Sequence, residues 1–178
     1  MLIPNDGCHQ CPAGVGIDPL FIMPGDFILT TKDSFFHRLI AIGQSFRFPK
    51  QYAKYTHCAL VVDKQGSLIE ADSEGILHRS LGDYLSKDYV YIHIKASPED
   101  RAEAVAFANS CIQNPYGWFT ALSIGLSMLT GLKFSFGFQG QEVCSGLIAR
   151  SLERTQFIPP TDASHIPPAL LAQMYQVS

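Results

Sequence analysis

The sequence predicts an α+β domain, an antiparallel sheet with helices packed on it, from three observations. Short segments of strand character crowd the first half: "DFILTT", "THCALVVD", "SLIEAD" and "YVYIHIK". Two of them are separated by only a few residues and read as a hairpin, which pairs antiparallel. Segments with helical spacing lie mostly in the second half, so strands and helices do not alternate as a parallel sheet would require.

In chain order, residues 1–23 read as a Gly- and Pro-rich N-terminal extension ahead of a single domain over 24–178. "PGDFILTT" at 24–31 is a turn and a short strand, and "DSFFHRLIAIGQ" is a capped helix with Phe36, Leu39 and Ile40 inward. "THCALVVD" at 56–63 and "SLIEAD" at 67–72 form the hairpin, with "EGILHRS" as a third strand. "YVYIHIK" at 89–95 sets Val90, Ile92 and Ile94 on one face and Tyr91, His93 and Lys95 on the other, the pattern of a half-buried strand. "SPEDRAEAVAFANSCIQ" opens on Ser97 as N-cap, Pro98 at the first helical position and Asp100 three residues after the cap. Its inward stripe reads as Ala102, Val105, Ala108 and Ile112. Residues 118–132 carry Trp118, Leu122, Leu126, Leu129 and Leu132 at helical spacing, a buried or partly exposed helix. Gly, Ser and Thr interrupt that run and Lys133 ends it short of the roughly 20 apolar residues a membrane span needs. A helix follows from about residue 144, and the tail is a Pro-rich loop closed by a short helix.

With 178 residues, 47% of them apolar and 16% charged, the chain can bury one core of ordinary size. Lys and Arg number 13 against 16 Asp and Glu, without a basic run, so the electrostatic footprint of a nucleic-acid binder is missing. The first residues lack the basic and apolar regions of a secretory signal. Five cysteines leave at least one thiol unpaired, as in a reducing compartment. "CHQC" at 8–11 has half of a zinc-site spacing, but no second CxxC or HxxxH completes four ligands, so no metal is expected and a mobile terminal segment is the plainer reading.

Chemistry concentrates on three residues. Cys144, in "EVCSGLIARSLE", falls in the first turn of a helix, where free backbone N–H groups and the helix dipole favour a thiolate. Its own N–H is suited to holding an oxyanion. Cysteines are more often small buried hydrophobes, so the nucleophile reading needs an imidazole and a group to orient it. His57 opens the apolar strand "HCALVV", and competes with His93 for the imidazole role; a hydrogen-bonded histidine at the edge of the core is the other reading. His37 and His78 read as surface or helix-face residues. If Val62 opposes Ser67 across a four-residue loop, Ala59 faces Glu70 and His57 becomes its diagonal neighbour on the same face. A three-residue loop would separate them. Glu70 alone would read as part of a solvated strand face.

The ordered set "PGDFIL", "THCALVVD", "LIEAD", "NPYGWF" and "VCSGLIARSLE", followed by a Pro-rich stretch, resembles the circularly permuted NlpC/P60 papain-like cysteine peptidases and amidases, in which the histidine strand precedes the cysteine helix. The resemblance runs from about Pro24 onward. It implies a papain-like catalytic domain with Cys144 as nucleophile, His57 as base, Glu70 as its orienting acid and Tyr116 near bound substrate. Gly146 stands where the family often has an acidic residue after "CS", and "GW" follows Tyr116 where an acid is common.

The expected activity is amide hydrolysis in a peptidoglycan stem peptide through an acyl-enzyme, without a cofactor. Two alternatives stand beside it: a lipid-directed acyltransferase or thioesterase, as in the related lecithin:retinol acyltransferase-like proteins, and a binding module with an idle thiol. A cell-wall enzyme without a signal peptide is expected to leave the cytoplasm through a dedicated secretion system or by lysis, as an effector with an immunity or inhibitor partner.

Overall fold

The computed structural model describes residues 7–72, 75–112, 144–153 and 166–177. Six strands, β1 Cys8–Cys11, β2 Phe27–Thr30, β3 His57–Val61, β4 Ser67–Asp72, β5 Gly75–Ser80 and β6 Tyr89–Ile92, form one open sheet. Its order is β1-β6-β2-β3-β4-β5, and every pair is antiparallel. The described helices are α1 Phe35–Ser45, α2 Lys50–Ala53, α3 Pro98–Ser110, α4 Cys144–Glu153 and α5 Pro168–Met174. The α+β architecture is the one expected from the sequence.

The β3–β4 hairpin takes the register that a four-residue loop dictates, with Val61 opposite Leu68 and Leu60 opposite Ile69. Asp63 fixes the loop, accepting the N–H groups of Gln65 and Ser67 at 2.9 and 2.8 Å. Gly66 closes it at φ +85°, a conformation that disfavours a side chain.

One sheet face, with Phe27, Leu29, Cys58, Leu60 and Ile69, is covered by apolar residues of α4 and α5 and by Ala108 of α3. The other, with Ile28, Ala59, Val61 and Leu68, is covered by Ile17, Ile22, Leu81 and Tyr84. β6 lies between β1 and β2 and is buried on both faces, where alternation had suggested one wet face. Its tyrosines survive burial because their hydroxyls are used: Tyr89 accepts the Ile17 N–H at 3.0 Å and Tyr91 that of Met23 at 2.9 Å.

Two helix faces differ from the sequence reading. α1 turns His37 and Gln44 inward and leaves Leu39 42% exposed. Gln44 sets that orientation, donating to the carbonyls of Ala53 and Tyr55 and accepting the Ala169 N–H, so one buried amide joins α1, α2 and α5. The side chain of Phe36 lies outside the described residues. α3 buries Arg101, Ala104 and Ala108 and exposes Ala102, because Arg101 reaches the buried Asp26 at 2.8 Å.

Residues 8–11 are an edge strand of the sheet rather than a mobile segment. Strand alternation sends Cys8 to one apolar cluster and Cys11 to the other, so the two thiols cannot share an ion. No helix among the described residues is long and apolar enough to cross a membrane. The segment 118–132 lies outside the described residues.

Candidate active site

β3 begins on His57, and the hairpin register sets Glu70 of β4 diagonal to it on the same face. The two side chains meet, with His57 Nε2 2.9 Å from Glu70 Oε2 and each residue 1% exposed. A carboxylate so buried needs several partners. The Tyr84 hydroxyl donates to Oε2, Lys32 Nζ donates to Oε1 at 3.0 Å, and Arg79 Nε stands 3.5 Å from Oε1. Lys32 also reaches Asp72 at 2.7 Å. Against burial, which opposes charge, the bonds and charge of His57 and then Tyr84 and Lys32 hold Glu70 far below the usual carboxylate range.

His57 is therefore anchored through one nitrogen, while Nδ1 makes no hydrogen bond of ordinary geometry and is sealed from solvent. Burial opposes protonation of the ring, yet the Cys144 thiol and Glu70 together raise it to about 9. An imidazole in that state is charged at neutral pH.

Cys144 is the first residue of α4 and 4% exposed. The Cys58 thiol beside it, then the bond and charge of His57, hold Cys144 well below an ordinary thiol, overcoming burial. Cys58 goes the other way: burial, followed by the charge of Cys144, pushes it well up, so it stays protonated and serves as a donor. The sulfur and the ring act on each other, Cys144 raising His57 and His57 lowering Cys144. None of the five cysteines is in a disulfide.

The three residues singled out in the sequence thus lie together, and Tyr116 is outside the described residues. His93, the rival imidazole, is bonded through Nδ1 to Asp26 instead, at 2.8 Å. Sequence reasoning missed four neighbours. His37, read as a surface or helix-face residue, is buried with its ring edge-on to His57, centroids 5.6 Å apart. Lys32, Tyr84 and Cys58 arrive from a strand exit, a one-turn helix between β5 and β6, and the far face of β3. Only the odd placement of Lys32 just beyond an apolar strand was a signal.

These features define a class: an α+β domain in which a helix-borne cysteine meets an acid-held histidine beside the start of β3. No protein-family model matches the chain, and no curated protein matches it.

Proposed function

We propose that the protein is a cysteine hydrolase on a papain-like, circularly permuted NlpC/P60 scaffold, cleaving an amide bond with Cys144, His57 and Glu70. One observation carries the reading: Glu70 holds His57 through Nε2 at 2.9 Å, leaving Nδ1 unbonded next to a thiol that favours its charged form. An imidazolium–thiolate pair steadied by a carboxylate is what acyl transfer from an amide requires.

In this mechanism the Cys144 sulfur adds to the carbonyl carbon and the carbonyl electron pair moves onto oxygen. Collapse breaks the C–N bond while His57 gives its proton to the departing amine, leaving a thioester. Neutral His57 then takes a proton from water, the hydroxide displaces the sulfur, and a carboxylic acid leaves with the thiolate restored. The α4 N-terminus contributes backbone N–H groups toward the charged oxygen.

The substrate class proposed is a peptidoglycan stem peptide. Purified peptidoglycan incubated with the protein should release new amino and carboxyl termini visible by mass spectrometry. Cys144→Ala should lose about 10⁴-fold or more of that release while folding normally. Undiminished release from Cys144→Ala would remove the reading.

A second reading draws on α1, which presents Phe35, Leu39, Ile42 and Phe46 to solvent along one face. An exposed apolar stripe on a helix beside the site suits a lipid acyl substrate. Ester or thioester cleavage of phospholipids, with peptidoglycan left whole, would select it.

A further inference from the structure

The site holds a second imidazole that the triad does not use. His37 lies on the first turn of α1, only 9% exposed, and its two ring nitrogens are placed differently. Ser34 Oγ is 2.6 Å from Nδ1 and, as the N-cap of α1, also accepts the His37 backbone N–H. The Ser34 hydroxyl has one hydrogen to give, and in the tautomer in which Nδ1 accepts it the proton of a neutral ring sits on Nε2. Nε2 has no hydrogen-bond partner among the described residues.

The ring is neutral where His57 is charged. Burial first, and then the charge on His57, lower His37 below the usual imidazole range. The Cys144 thiolate acts on His37 in the opposite sense, and His37 acts on Cys144 in turn, so the ring lies within the field of the sulfur.

Two imidazoles pushed to opposite protonation states beside one nucleophile imply a division of labour. His57 is tied to Glu70 and moves protons. What remains is the negative charge that develops on the carbonyl oxygen when the C–S bond forms, for which the backbone N–H of Cys144 is one donor and a side chain commonly supplies the second. We propose that His37, through Nε2–H, is the side-chain donor that holds the substrate's carbonyl oxygen as it becomes an oxyanion. A neutral ring fits this role because it offers a hydrogen bond without surrendering its proton to the thiolate.

The proposal rests on the hydrolase reading, and two probes separate them. Iodoacetamide alkylates a thiolate by displacing iodide at a saturated carbon, with no oxyanion. p-Nitrophenyl acetate transfers its acetyl group to the sulfur through a tetrahedral oxyanion, releasing p-nitrophenolate as the C–O bond breaks. Relative to the unaltered protein, His37→Phe should slow acetylation of Cys144 by about 10²–10³-fold. Its alkylation should stay within about twofold, which also reports that the site is folded. His37→Gln, whose amide offers an N–H, should recover part of the acetylation rate. Equal losses with both probes would make His37 a determinant of the thiolate rather than an oxyanion donor, and unchanged acetylation would give it no part in the step; either result overturns the proposal. An unaltered protein that alkylates like an ordinary thiol and takes no acetyl group would overturn the hydrolase reading, and this inference with it.

Discussion

Two buried carboxylates in this sheet are surrounded by the same kinds of partner and differ in what lies beside them. Glu70 is bonded to His57, the Tyr84 hydroxyl and Lys32. Asp26 is bonded to His93 at 2.8 Å, to the Tyr91 hydroxyl at 2.9 Å and to Arg101 at 2.8 Å. Asp26 also accepts the Ile94 N–H at 2.9 Å, and Arg101 goes on to the carbonyls of Pro24 and Ile94. That second cluster is a latch joining β2, the end of β6 and α3. The histidines separate them. His93 has a side chain 36% exposed, whereas His57 is sealed with one nitrogen unbonded beside Cys144.

The thiols make the same distinction. Cys8, paired across from Ile92, is pushed up to about 11 by burial. Cys144, more deeply buried, goes down, because Cys58 and His57 outweigh its desolvation. An acid, a histidine, a tyrosine and a cation together therefore make a structural joint. The chemistry proposed here depends on the thiol and the open nitrogen added to it.

Exchanging the acids should give different kinds of loss. Glu70→Gln should lower turnover by about 10²–10⁴-fold, since the amide no longer favours the charged imidazole. It should also destabilise the fold by about 3–5 kcal/mol, leaving Lys32 and His57 without their buried partner. Folded Glu70 sits below its unfolded value, so its stabilisation is present above about pH 4 and lost as pH falls through the folded value. Urea unfolding of the two proteins should therefore converge in acid. Asp26→Asn should destabilise by about 3–5 kcal/mol through the stranded Arg101 while turnover per folded molecule stays unchanged. A loss of turnover there would mean that the latch shapes the site. The smallest effect belongs to His93→Gln, about 1 kcal/mol in unfolding for a half-exposed hydrogen bond, with no change in Cys144 alkylation.

Much of this was legible in the sequence because it depends on parity and short loops. The Asp63–Gly66 loop fixes the hairpin register, and the register alone makes His57 and Glu70 neighbours. Cys144 could be assigned to a helix start from the pattern that follows it. The orientation of α1 could not: the buried side is set by Gln44, while Leu39 and Ile42, apolar and helically spaced, face outward. Nor could the partnership of His37 with His57, or of Tyr84 with Glu70, because those contacts depend on how helices and connectors lie across the sheet. Arg101 misled the reading of α3 for a related reason, since a charged residue is buried only when a partner such as Asp26 waits for it.

The most direct test is the rate of Cys144 alkylation by iodoacetamide in the native protein from pH 5 to 9, with the modified residue identified by peptide mass spectrometry. With His57 raised to about 9 and Cys144 held low, the rate should be nearly constant between pH 6 and 8. A rate rising about tenfold per pH unit over that range, as for an ordinary thiol near pKa 8.5, would contradict the account. So would a Cys144 that does not alkylate until the protein unfolds.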